Sequence, residues 1–334
     1  MKKILKALII IILVIAIIPA GVFVFLTLDT VIPDRFNYVV NEDQTTCTII
    51  SAKNKNSYSI DIPEEIDGYT VTKITSWAFK GHKCSIVFFP DTIEYIGAGA
   101  FAECEELGAV HGLEKCTKLK EIQQETFLNC YDLDTIMLPE GLETIGVMAF
   151  MNCWSDLNSI KIPSTVTTIE YGAFSLCTNL TEIEFPASVE YIGERVLTCS
   201  YNLEAIKVDP ANQNYCSVDG VLYSKDMKTL HTYPSGKQDK EFTIPDSVTR
   251  IGIGAFESPY YLETLNVPVS MISINKLVIS DYDNKSKLTT INYSGTVEMW
   301  NSITKAEEWD VESPNYTIYC TDGTIKKDGT VTYY

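Results

Sequence analysis

One spacing constrains this chain more than any other: an Ile followed five residues later by Phe or Leu, seven times over. The pairs are Ile74 and Phe79, Ile96 and Phe101, Ile122 and Phe127, Ile145 and Phe150, Ile169 and Phe174, Ile192 and Leu197, Ile251 and Phe256. From Phe79 to Leu197 successive anchors fall 22, 26, 23, 24 and 23 residues apart. Five of the units open on a Pro (90, 139, 163, 186, 245) with Ile, Leu or Val three residues on, and Cys104, Cys130, Cys153 and Cys177 each follow an anchor by three. A fixed period in the low twenties describes a solenoid. No unit of that size can bury its own apolar face, so stacked neighbours supply the core.

Ahead of each Pro stands a short alternating run: Thr135, Ile136, Met137, Leu138; Ser159, Ile160, Lys161, Ile162; Glu182, Ile183, Glu184, Phe185. Period two, ended by a residue that cannot donate to a ladder, predicts a short strand with one buried face. The Ile/Phe segment after it predicts the return path, its apolar side chains wedged against the strand layer.

The pattern L-x-x-I-x-I-P-x-x-V-x-x-I-G-x-x-A-F-x-x-C, carried by residues 157–177 and again by 180–197, resembles the BspA-like leucine-rich repeats of bacterial and some protozoan cell-surface proteins. The flanks are similar too. "IPEEIDGYTVTKI" at 62–74 resembles the end of that family's N-terminal β cap. Residues 209–245 resemble its hairpin-bearing insert, and "YSGTVEMWNS" at 293–302 with "CTDGTI" at 320–325 resembles its closing segment. The likeness spans roughly residues 36–334 and speaks to architecture, because the family shares a scaffold rather than one chemistry. The expected fold is a β-rich (α+β) leucine-rich-repeat solenoid of 22–26-residue repeats with an N-terminal cap and a C-terminal closing segment.

At 334 residues the chain exceeds the size at which one globular core stops growing, about 250–300 residues. A solenoid escapes that limit. The formal charge is −18, and setting aside Lys2, Lys3 and Lys6 leaves 23 basic against 44 acidic residues, or −21. That balance argues against nucleic acid, which requires a basic footprint. It fits an exterior domain, or one that binds basic or cation-bridged partners.

Residues 1–6 are a basic start, and 7–26 run without a charge. At ~1.5 Å per residue such a run spans a ~30 Å hydrocarbon core. It is longer than the apolar region of a cleaved signal. The sequence therefore predicts one transmembrane signal anchor over 7–28, with the N-terminus cytoplasmic and the rest extracellular; cleavage near residues 18–21 and secretion is the alternative. A linker at 29–35, a β cap at 36–72 of two or three strands, repeats over 73–279 and a capping segment at 280–334 complete the expected organisation. Within the repeats, the unit at 109–113 lacks its Pro and predicts a bulge or longer loop near 114–118. The insert at 209–241 predicts strands over 215–223 and 230–233 about a turn at 224–227. The copy at Pro268 keeps Met271 and Ile274 but has no Phe at 279, a decay that fits a terminal repeat.

Ten cysteines in an exported chain ordinarily read as a disulfide framework. Four of them, however, occupy one repeat position, which predicts a ladder of buried thiols acting as small hydrophobes; pairing of Cys47, Cys84, Cys116, Cys199, Cys216 and Cys320 is open. A Cys–His nucleophile has three candidate pairs, His82 with Cys84, His111 with Cys116 and His231 with Cys216, none in a catalytic motif, and His82 fills the ladder position of its own repeat. Zincin, C-x-x-C, nucleophile-elbow and phosphate-loop motifs are missing from the sequence. Residues 281–284 echo a calcium loop but lack its Gly and distal Glu. The sequons at Asn179, Asn284, Asn292 and Asn315 matter only in a glycosylating host. No cofactor or metal is expected, and Trp300 and Trp309 are read as core of the closing segment.

What remains for function is the outward side of the strand layer: Thr135 and Met137, Ser159 and Lys161, Glu182 and Glu184, Ala205 and Lys207, Thr264 and Asn266. The row mixes signs and sizes. It implies non-catalytic recognition of an extracellular protein or polysaccharide, adhesin-like by the family resemblance. The alternatives are a scaffolding envelope protein that self-associates or binds another surface protein and, remotely, a thiol hydrolase.

Overall fold

The apolar periodicity winds the chain into a coil whose neighbouring turns pair in parallel. The computed structural model describes residues 35–153, 158–281 and 284–334. The expected span at 7–28, the basic start and the linker up to 34 lie outside the described residues. No helix among the described residues is long and apolar enough to cross a membrane. Arg35–Tyr334 forms one unit.

Each turn of the coil has three sides. The first is the strand before the Pro: Ser59–Asp61, Ile86–Phe88, Ala109–His111 and Thr135–Ile136 pair rung on rung, and Glu182–Phe185 pairs with Ala205–Val208. Burial alternates along Glu182–Phe185, exposed Glu against buried Ile and Phe, as a strand with one wet face requires. The second side carries the repeated Ile in two-residue strands, Glu121–Ile122, Thr144–Ile145, Thr168–Ile169 and Tyr191–Ile192. Here the Gly after the Ile matters: a Cβ on Gly97 would lie 2.3 Å from the Ser76 nitrogen, and on Gly193 2.4 Å from that of Tyr171. The third side is a wall of tight turns joined by hydrogen bonds between turns of the coil, Phe127 N–H to Ala149 O at 2.8 Å and Phe150 N–H to Ala173 O at 2.9 Å.

Inside, the anchor rings form a column. Phe79, Phe101, Phe127, Phe150 and Phe174 stack in succession with centroids 5.0, 5.6, 5.4 and 5.5 Å apart. Beside it runs the thiol ladder. Sγ of Cys104, Cys130, Cys153 and Cys177 donates to the carbonyl of Phe79, Phe101, Phe127 and Phe150, at 3.1, 3.2, 3.3 and 3.2 Å. Ser200 takes the next position and donates to Phe174 O at 3.3 Å. No disulfide joins the ten cysteines; nine are buried and Cys216 is half-buried.

Several expectations need correction. The helical component reduces to one six-residue helix, Val297–Ser302, and the 3-10 turn Leu113–Lys115 among the described residues, because each return path closes by turns too tight for a helix. That 3-10 turn begins one residue before the stretch 114–118, where a bulge or longer loop was expected. Ser159 to Ile162 is no regular strand; only an isolated bridge ties Lys161 to Glu184. Residues 215–223 are two strands, Tyr215–Val218 and Val221–Ser224, folded back at Asp219 and Gly220 with φ of 51° and 75°. Asp-Gly between alternating runs is a hairpin signal in its own right. The turn before Thr229–Thr232 stands where expected. Parallel rungs also run on past residue 279, through Thr290–Tyr293 to Thr317–Cys320, before two antiparallel strands close the sheet. Trp300 is buried in that segment, edge-on to Trp309 at 6.1 Å.

Candidate functional site

The strand side of the coil brings some of the expected face residues together and leaves others apart. Thr135, Met137, Ser159, Lys161, Glu182, Glu184 and Lys207 are exposed; Ala205, Thr264 and Asn266 are half-buried. Registers place Lys161 beside Glu184, and Glu184 beside Lys207. Thr264 and Asn266 belong to another sheet, beyond the hairpin insert. There the polar groups satisfy one another: the Asn266 amide donates to Glu241 Oε1 at 2.7 Å and Thr243 Oγ1 at 2.9 Å, and Asn292 donates to Asn266 Oδ1 at 2.8 Å.

The irregular stretch at Ser159 to Ile162 interrupts the strand ladder, and the surface sinks there. The depression measures about 540 Å³ and is walled by Glu140, Ser159, Lys161, Glu182, Glu184 and Asp209, with Ile160, Ile162 and Ile183 beneath. Lys207 Nζ pairs with Glu182 Oε2 at 2.6 Å, and this bond raises the Lys207 pKa. Ser164 Oγ donates to Glu140 Oε2 at 3.0 Å.

Sequence reasoning missed the other end of this face. Phe88 is 42% exposed and its ring stacks on His111 at 5.3 Å and 28°. Both sit on adjoining rungs, and Met137, 56% exposed, follows Thr135 as His111 follows its partner Ala109. Phe88, Met137, Lys161 and Glu184 are each the second residue before a Pro, and that position rule would have found Phe88. Glu140 and Ser164 directly follow a Pro and were equally within reach.

Two of the three Cys–His pairs are engaged elsewhere. His231 engages both ring nitrogens, Nδ1 with Thr232 Oγ1 at 2.9 Å and Nε2 with Ile192 O at 3.0 Å, and burial lowers its pKa. Cys216 lies against Ser224 O and the Met227 sulfur, both at 3.4 Å. Burial, with Glu114 and Asp91 nearby, pushes Cys116 up to about 12, and its Sγ donates to Pro90 O at 3.3 Å while His111 is stacked on Phe88. Cys84 is fully enclosed; a hydrogen bond with Cys104 pulls its thiol down and pushes that of Cys104 up, and a second from His82 also lowers it, so His82 and Cys84 do meet, inside the core. The Asp281 carboxylate closes a turn, accepting from the Lys285 and Ser286 N–H groups at 3.0 and 2.9 Å. Among the described residues no cluster of three His, Cys, Asp or Glu side chains could hold a metal.

A family model described as "BspA type Leucine rich repeat region" matches six copies within residues 52–155, 112–217 and 233–307. Among solved structures, a leucine rich cell surface protein from Faecalibacterium prausnitzii A2-165 is 25% identical, with a TM-score of 0.57 over 81% of this chain and 96% of that one. A leucine-rich repeat protein from Bacteroides ovatus is 26% identical, TM-score 0.57, over 83% and 76%. The pneumococcal vaccine antigen PcpA, at 21% identity and a TM-score of 0.64 over 78% and 80%, shares the fold. No curated protein matches the chain.

Proposed function

We propose that this chain, which belongs to the BspA-type leucine-rich-repeat family, recognises another macromolecule at a cell surface through its strand face and does no catalysis. The observation that carries this reading is the depression of about 540 Å³, whose walls include four of the face residues, Ser159, Lys161, Glu182 and Glu184. A solenoid offers such a face as one extended, rigid surface, which lowers the entropy lost on binding. The cell-surface description of the Faecalibacterium relative supports an outside location. In this account residues 7–28 anchor the chain in the membrane with the N-terminus cytoplasmic and the repeats outside.

The test is a screen of the detergent-solubilised full chain against matrix proteins, mucins and polysaccharides, beside a Glu182→Lys, Glu184→Lys variant. A ligand retained by the parent and weakened by the variant, with circular dichroism unchanged, supports recognition through this face. A ligand indifferent to the variant moves the site elsewhere on the coil.

A further inference from the structure

We infer that the occupant of the strand face is an extended basic segment of a partner protein, laid along the solenoid axis with an apolar side chain on Phe88, His111 and Met137 and a Lys or Arg in the depression. This rests on the strand face being the recognition surface, and it names the partner's chemistry.

Two features of the face carry it. At one end, Phe88 and Met137 leave 42% and 56% of their surface in water beside a stacked imidazole, apolar area that the fold itself does not bury. At the other end the charge is negative. Glu140, Glu182, Glu184 and Asp209 face two ammonium groups, Lys161 and Lys207, the latter bonded to Glu182 at 2.6 Å and beside Glu184, so carboxylates outnumber cations four to two. A net charge of −18 draws basic segments toward the molecule before contact.

Other occupants fit less well. A polyanion would meet repulsion. A neutral glycan would desolvate Glu184 and Asp209 without supplying a partner charge, which is costly. The half of the face beyond the hairpin has its amides already paired through Asn266 and Asn292, so the two open features both lie on the N-terminal half.

The spacing sets the ligand's pattern. Four rungs separate Phe88 from Glu184, and at ~4.8 Å per rung that is ~19 Å. An extended chain advances ~3.3 Å per residue, so anchor and cation fall about six residues apart. Extended segments are commonly read this way, by pockets for particular side chains along one line.

The test titrates the full chain with a labelled peptide that carries Phe and, six positions on, an Arg pair in a Gly/Ser background, against peptides with Glu for Arg or Ala for Phe. The inference expects the Phe/Arg peptide to bind, to weaken with rising salt, and to lose about tenfold in affinity on Glu184→Lys and again on Phe88→Ala. Phe88 is exposed, so the second variant should keep its fold; Met137→Ser repeats the test at a neighbouring site. Equal binding of the Glu peptide, no binding of any peptide, or indifference to all three variants overturns it. If the screen instead yields a neutral or acidic ligand that Glu182→Lys, Glu184→Lys displaces, the strand face stands as the recognition surface and the basic-segment inference falls. A screened ligand that never touches the face removes both.

Discussion

The Arg195 guanidinium grips the Glu257 carboxylate across 62 positions of sequence, Nε donating to Oε2 at 2.8 Å while Nη2 donates to Oε1. Nη1 adds a bond to the Tyr171 hydroxyl at 3.0 Å. The Glu257 side chain is fully enclosed. The pair spans a join between two hydrophobic cores, one running from Phe36 to Leu222 and the other from Val221 to Ile325. This contact bypasses the hairpin insert, and across the same join Cys199 Sγ lies 4.0 Å from Ser258 Oγ and Lys285 Nζ sits 3.9 Å above the Tyr201 ring. Two more bonds pin that insert to the first core, Ile192 N–H to the Tyr215 hydroxyl at 2.9 Å and His231 Nε2 with Ile192 O at 3.0 Å.

Arg195→Ala removes both guanidinium bonds from a buried carboxylate, a loss of ~3–5 kcal/mol. Because repeat arrays lose cooperativity when one interface weakens, urea unfolding of the variant should split into two transitions, the C-terminal core melting first. A single transition with an unmoved midpoint would contradict the bridging role.

Phe127 lies mid-column, with rings at 5.6 and 5.4 Å on either side. Phe127→Ala opens a cavity that the strands on both sides cannot close, and should cost ~3–5 kcal/mol. Chemical denaturation measures it. A loss under about 1 kcal/mol would mean that the stack relaxes as ordinary globular cores sometimes do.

The thiol ladder makes the fold sensitive to alkali. Burial pushes Cys177 up to about 12 from 9.0. Between those values the folded chain keeps a proton that the unfolded chain has released. Stability is therefore whole below pH 9 and falls as pH rises toward 12, by about 1.4 kcal/mol per unit for each such thiol. Cys177→Ser keeps a donor, as Ser200 does naturally in the next repeat. Urea midpoints taken across this window should fall less steeply in the variant; identical slopes would show that the thiol does not govern the transition.

The coil was legible because its signal is periodic: each Ile, Phe and Cys position is used repeatedly, so one unit read correctly reads the next. Whatever occurs once was harder to see. The bond between Arg195 and Glu257 joins residues in different repeats, and no spacing rule points to it. The break at Ser159 to Ile162 hides behind a run that alternates as well as Glu182–Phe185 does. Phe88 stands in the same position before its Pro as Met137, Lys161 and Glu184, so its exposure follows from a rule that the sequence does carry. The Asp219 and Gly220 turn carried a plain signal that the longer apolar run around it obscured.

Amide hydrogen exchange of the full chain, with and without a ligand retained in the screen, locates the surface that the ligand covers. Recognition through the strand face predicts slowed exchange at Ile86–Phe88, at Ala109–His111 and across residues 159–162 and 182–184, with the ladder at Thr144–Ile145 and Thr168–Ile169 unchanged. Slowing confined to that second ladder or to the hairpin at Tyr215–Val218 and Val221–Ser224 would contradict it.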